Sequence, residues 1–255
     1  MESKHWCVDN RLESVGKREK EVGHLNHNYK CVICDTPYQW GQINSFACKN
    51  CETIFVPFVD QTLYDEAYKD KYVIYQASGI NRPLQSLRWS TVLRHKKTGT
   101  LLDFGCGSGA FLEAAPEGWN VYGAEINEHC VKHCKKLGLD TVDLHEIFNR
   151  KWDVVTLFDV LEHVPSLSVL NDINDSLNDD GLLVIATPNL TPEIAKAYKT
   201  WKHYRPEGEH TFYFSYKSIA TLANLYGFEI IEANDNESEI RPPEGNIATY
   251  VLKKL

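Results

Sequence analysis

A chain of 255 residues, 43% hydrophobic and 24% charged, has room and material for one large core plus a small module. Its longest apolar runs, such as GLLVIA, are far too short to span a bilayer. The net charge of -8, with no basic run beyond two or three residues, weighs against a protein that grips long nucleic acid by its phosphates.

The opening MESKHWCVDNRLES lacks the apolar stretch of an export signal, so the expectation is a cytosolic protein. In that compartment eight cysteines serve as thiols and metal ligands rather than disulfides. Residues 1–28 are polar with little periodicity and read as a tail, with a helix over RLESVGKREKEVGHL the alternative; Cys7 stands apart and takes no role.

Residues 31–51 read CVICDTPYQWGQINSFACKNC. Cys31 and Cys34 form one C-x-x-C, Cys48 and Cys51 a second, thirteen residues on. Two such knuckles supply the four thiolates that tetrahedral zinc prefers, with a short hairpin between them. The predicted ribbon spans residues 29–58. It is too small to bury a core, so metal binding must supply much of its folding energy. Four thiolates leave no open position, which makes the zinc structural. A redox role is disfavoured, because neither C-x-x-C opens a helix in a βαβ unit.

Residues 59–98 read as a helical linker or lid. Its Tyr64, Tyr68, Tyr72 and Tyr75 fall at roughly helical spacing, which suits core packing; lining a pocket is the alternative. From residue 99 the pattern alternates. Strands are predicted at TLLDFG, NVYGAEI, DTVDL, DVVTLFDV, GLLVIATP, FEIIEAN and NIATYVLKKL, seven in all. Helices fall between them, one capped by Asn127 and stopped by Gly138, another ending at Gly227. This order specifies an α/β fold with a mainly parallel sheet and flanking helices over 99–255. Such folds bind ligands at the carboxyl ends of their strands.

The first strand runs into Gly105, Gly107 and Gly109. Glycine tolerates positive φ and lets a ligand reach the backbone at a helix N-terminus. The spacing is G-x-G-x-G, not the G-x-G-x-x-G of dinucleotide sites, and Asp103 beside it would repel a phosphate. Glu125 ends the second strand, twenty residues after Gly105, where a carboxylate can take both hydroxyls of a ribose. A nucleoside with a positive centre or amino group fits better than a dinucleotide.

The stretches LLDFGCGSGAFLEAA, VYGAEIN, WDVVTLFDVLEHV and GLLVIATPN resemble class I S-adenosylmethionine-dependent methyltransferases. The resemblance implies a Rossmann-like fold. It implies that Asp103, Gly105, Cys106, Gly107, Gly109 and Ile126 bind S-adenosylmethionine, with Glu125 at the ribose. Asp143 falls in the region that meets adenine, and Asp159, Val160 and Leu161 run beside the methionine and face the substrate. The cysteine ribbon with ETIFVPFVDQTLYDEAY, and the later WKHYRPEGEHTFYFSYKSIATLANLYGF, look like parts of bacterial methyltransferases acting on sugars, nucleotide-linked sugars and other small metabolites.

Methyl transfer to a hydroxyl is helped by a base, and histidine titrates in the useful range. His163, just past a strand end, and His210, in the substrate-side insertion, are the candidates. Glu162 and Glu209 are neighbouring carboxylates placed to orient them. HCVKHC, residues 129–134, has two histidines four apart, yet packing cysteines with exposed histidines is the preferred reading. Asn189 follows a strand and faces substrate or forms a turn. The expected activity is methyl transfer to a hydroxyl of a small molecule, a sugar or related metabolite, with the ribbon part of the pocket wall. Two alternatives stand beside it: a nucleobase, RNA or protein substrate recognised by the ribbon, and a cofactor-binding protein without catalysis.

Overall fold

The computed structural model describes residues 30–40, 45–56, 70, 78–143, 145–204, 209–241 and 245–255. The tail, Cys7 and the four linker tyrosines lie outside the described residues. Among those described, no helix is long and apolar enough to cross a membrane.

The cysteine module contributes three short strands, β1 (Gln39–Trp40), β2 (Phe46–Ala47) and β3 (Ile54–Phe55). Helix α1 (Asn81–His95) follows, then β4 (Gly99–Phe104), α2 (Ala110–Glu113), β5 (Trp119–Ala124) and α3 (Glu128–Lys136). Next come β6 (Trp152–Phe158), α4 (Val169–Ser176), β7 (Leu177–Pro188) and α5 (Pro192–Lys196). The chain closes with β8 (Phe212–Tyr213), α6 (Tyr216–Leu225), β9 (Phe228–Asn234), α7 (Glu237–Ile240) and β10 (Ile247–Lys254).

The large sheet has six strands in the order β5-β4-β6-β7-β10-β9. The four on one side run parallel, and β10 pairs antiparallel with both β7 and β9. Seven strands were expected. The missing one is DTVDL, which shrinks to a single bridge between Thr141 and Gly123 on the edge of β5. It is cut short because the Asp143 carboxylate accepts from the His145 amide and turns the chain.

Side chains alternate across this sheet as a pleat demands. Leu101, Val154 and Val184 point to one layer with Trp89 and Val92 of α1. Leu102, Val155 and Ile185 point to the other, with Ile173 of α4 and Leu222 of α6. The described part of the linker, α1, is thus a wall of the core. Trp89 stacks on Phe111 of α2 at 4.6 Å and donates its indole N–H to the Phe111 carbonyl at 2.9 Å. That fixes the short helix behind the glycine turn.

A second sheet has the order β1-β2-β3-β8. Here the cysteine module adds itself to a strand of the insertion after β7: Ile54 pairs with Tyr213, and Phe55 with Phe212. Val56 N donates to Thr211 O at 2.8 Å, and Ser218 Oγ donates to Cys51 O at 2.9 Å. The module is part of the α/β body's packing, not an appendage.

Candidate active site

The sheet places β4 between β5 and β6: the chain leaves β4 for β5 on one side and then crosses back to β6 on the other. Ligands bind at such a switch point, at the carboxyl ends of the strands. Asp103, the glycine turn, Glu125 and the turn 161–163 all sit there, at the ends of β4, β5 and β6.

All three glycines take left-handed φ: 79° at Gly105, 53° at Gly107 and 86° at Gly109. At two of them the close neighbour is the protein itself. A Cβ on Gly105 would lie 2.5 Å from Val160 Cγ2, and one on Gly109 would lie 2.4 Å from Leu139 Cδ1. These two positions are glycine because the turn packs against β6's extension and the loop after α3. The expectation that a ligand excludes side chains there is corrected in that respect. Gly107 differs: its amide donates to Glu125 Oε2 at 2.8 Å.

Glu125 Oε1 accepts from the Asn127 amide, also at 2.8 Å. Burial raises its carboxyl above the ordinary value, against the pull of the Asn127 and Gly107 amides. Asn127 in turn caps α3, accepting from the His129 and Cys130 amides. Ile126 beside it is 59% exposed, an apolar face next to an acid. That pairing suits an adenosyl group: carboxylate toward ribose hydroxyls, sec-butyl side chain toward a base. Asp143 is exposed.

Asp103 is buried under the turn, where Thr156 Oγ1 donates to it at 2.6 Å. Burial pushes its carboxyl up to about 6. Cys106 is a packing residue: its sulfur lies against Gly123 and Leu112. In α3, Cys130 and Cys134 are buried while His129 and His133 are half-buried. Asn189 forms a bridge with Phe214.

After β6 the chain holds Asp159 at a φ of 59°. Its carboxylate is held by two guanidiniums, Arg88 at 3.0 Å and Arg241. Burial alone would raise this acid, but the Arg241 and Arg88 charges hold it far below the usual carboxylate range. Val160 packs on Gly105 and Leu161 is buried in the core. Glu162 is buried, accepts from Thr187 Oγ1 at 3.0 Å, and is pushed up to about 8 by burial and then by the Asp159 charge.

His163 and His210 meet edge to face, ring centroids 4.5 Å apart. The sequence placed them 47 positions apart; the insertion folds back and brings them together. Thr211 N donates to Glu162 O at 2.7 Å and anchors that return. His163 is oriented through its Nδ1 by the carbonyl of Glu209, so the role expected of the Glu209 carboxylate belongs to its backbone. Thr187, Arg88, Arg241 and Glu237 carried no sequence signal, because each meets its partner only through the fold.

The four cysteines also converge. Sγ atoms of Cys31 and Cys51 are 3.5 Å apart, those of Cys34 and Cys48 are 3.4 Å apart, and all four lie within 4.8 Å of one another. Zinc–sulfur bonds of about 2.3 Å place tetrahedral ligands about 3.8 Å apart, close to this cage. The two knuckles are built alike. Cys31 N donates to Thr36 O and Cys48 N to Thr53 O; Asp35 and Glu52 follow at φ 56° and 63°. Thr36 and Thr53 hydroxyls each touch a cysteine sulfur, at 3.3 and 3.2 Å. The Cys31 thiol beside it brings Cys51 down to about 5.

Fold and switch-point site together define the class: this is a class I S-adenosylmethionine-dependent methyltransferase. The profile of the family described as "Methyltransferase domain" matches residues 77–233, and the chain belongs to that family. It is 31% identical over 182 residues to the ubiquinone biosynthesis O-methyltransferase of Actinobacillus pleuropneumoniae serotype 7 (strain AP76), spanning 60% of this chain and 77% of that protein. In fold it is similar to magnesium protoporphyrin IX methyltransferase from Synechocystis PCC 6803 with bound SAH, at TM-score 0.58 and 15% identity, covering 77% of this chain and 100% of the other. A SAM-dependent methyltransferase from Thermotoga maritima gives TM-score 0.56 at 18% identity, covering 76% and 99%. The family match begins beyond the cysteine module.

Proposed function

We propose that this methyltransferase acts on a hydroxyl of a small molecule, and that the acceptor lies between the end of β6 and the insertion carrying His210. The observation that carries this reading is the convergence of His163 and His210 at the turn after β6, the segment whose Val160 packs directly on Gly105. The relatives' name, an O-methyltransferase of ubiquinone biosynthesis, supports oxygen as the acceptor atom. A sugar or nucleotide-linked sugar is the acceptor class suggested by the sequence, and phenols join it through that relative.

Gly105 to Gly109, with Asp103 and Cys106 beneath them, hold the methionine end of the cofactor in this reading. Glu125 takes the ribose, Ile126 covers the adenine, Asp143 lies at its edge, and Asp159 to Leu161 shape the wall toward the acceptor. The bound cofactor supplies a sulfonium methyl, so alignment and exclusion of water matter more than acid–base power. His163 and His210 set the acceptor oxygen and ease loss of its proton. Cys31, Cys34, Cys48 and Cys51 hold a structural zinc that stiffens the strand next to His210.

Calorimetry with S-adenosylhomocysteine tests the cofactor half. The wild-type chain should bind, and Glu125→Ala should weaken binding at least about tenfold, roughly 1.4 kcal/mol. A methyl-transfer assay over sugars, nucleotide-linked sugars and phenols tests the other half. No heat with the wild-type chain ends the reading; transfer only to nitrogen or to a macromolecule ends the acceptor assignment.

A further inference from the structure

Two groups among the described residues bring three or more histidine, cysteine or acidic donor atoms within 4.8 Å. One is the four-cysteine cage. The other is Glu162, His163 and His210, which unites the turn after β6 with the insertion before β8. We propose that this second group binds a divalent first-row transition cation, which takes the acceptor's hydroxyl oxygen at an open position. The inference rests on the methyl-transfer reading above for its purpose, but not for its geometry.

Three arguments support it. Among the described residues the donor set is two imidazoles and one carboxylate with no thiolate, a borderline set suited to manganese, iron or zinc, and three such ligands leave positions for a substrate. Two of the three ligands are oriented from behind. His163 Nδ1 donates to the Glu209 carbonyl, which assigns the proton to that nitrogen and leaves the basic lone pair on Nε2. Glu162 is fixed by the Thr187 hydroxyl through Oε2, and by its own carbonyl accepting from Thr211 N. Such outer partners on the ligating groups are the usual support of a metal site.

The position also suits the chemistry. Glu162 lies two residues after Val160, the side chain that touches the glycine turn. A hydroxyl bound to a cation there loses its proton at far lower pH than a free one. As the oxygen forms its bond to the methyl carbon, the carbon–sulfur bond breaks, its electron pair stays on sulfur, and the hydroxyl proton goes to water. In this arrangement the imidazoles act through the cation and not as proton acceptors. That revises the base role expected of His163 and His210 from sequence.

The probe is Mn2+, a hard ion that avoids thiolate cages. The full chain, preloaded with zinc, is titrated with Mn2+ and free ion is followed by electron paramagnetic resonance. One Mn2+ per chain is expected. Glu162→Gln and His210→Gln should each weaken it about 10- to 100-fold, with S-adenosylhomocysteine affinity measured in the same samples as a check on the fold. A second measurement needs no variant: substoichiometric Mn2+ should broaden the imidazole proton resonances of His163 and His210 before those of His129 and His133. Absence of a bound ion in the wild-type chain overturns the proposal, as does wild-type affinity in both variants or broadening elsewhere alone. Failure of S-adenosylhomocysteine to bind while Mn2+ does would count against the methyl-transfer reading and leave the cation site standing.

Discussion

Asp103 shows how burial writes a pH dependence into one residue. It is 4% exposed, and its carboxyl is pushed up to about 6. Unfolding returns it to its ordinary value near 4. Between roughly pH 4 and pH 6 the native chain therefore keeps a proton that the unfolded chain has lost. Stability from this group is complete below about pH 4 and drains away as pH rises through about 6, a loss on the order of 2–3 kcal/mol. Asp103→Asn keeps an acceptor for the Thr156 hydroxyl and removes the titration. Urea unfolding of both chains from about pH 4.5 to pH 7.5 should show the variant gaining on wild type as pH rises, then running level. A stability difference flat in pH would refute the assignment. Asn127 was legible in the sequence, because a cap acts on neighbours two or three positions away. The sequence did not reveal Thr156 under Asp103 or Thr187 under Glu162, whose partners are 53 and 25 residues distant.

Between elements, the strongest device is ionic. Arg88 of α1 grips Glu237 of α7 through Nε at 2.8 Å and Nη2 at 3.0 Å, both side chains under one tenth exposed. Asp159, after β6, and Arg241 complete two positive and two negative groups, and the Arg88 guanidinium lies 4.2 Å from the Phe158 ring centroid. The network clamps the helix preceding the sheet onto the wall beside the site. Glu237→Gln leaves two guanidiniums facing one carboxylate. It should cost about 3 kcal/mol in urea unfolding. Arg88→Met with Glu237→Leu removes one charge of each sign and should cost less than either single change. Additive losses would show that the ions do not act as a unit. No sequence pattern announces this clamp, since Arg88 and Glu237 are 149 residues apart and buried charge has no period. The strands β4, β6 and β7 were legible for the opposite reason: they are buried on both faces and read as apolar runs. DTVDL has two acids in five residues and little to bury, so its apparent period yields one bridge.

At the scale of the whole molecule, the strands of the cysteine module and β8 of the insertion after β7 form one sheet. The module's strands are two residues each, too short to stand without the sulfur cage and the partner strand. The joint runs from Val56 N to Thr211 O, from Thr211 N to Glu162 O, and Thr211 adjoins His210. Glu125 is held by the Gly107 and Asn127 amides, and neither of the joint's two hydrogen bonds is made to it or to the glycine turn. In the reading proposed above, losing the zinc should therefore loosen the acceptor side and spare the cofactor side. In Cys51→Ser, amide exchange at Val56 and Thr211 should quicken at least about tenfold, a local loss near 1.4 kcal/mol. Turnover should fall with it, while S-adenosylhomocysteine affinity stays within about threefold, under roughly 0.7 kcal/mol. Should cofactor affinity collapse alongside turnover, the module would be a general prop of the fold, and the path through Val56 and Thr211 would carry nothing specific to the acceptor.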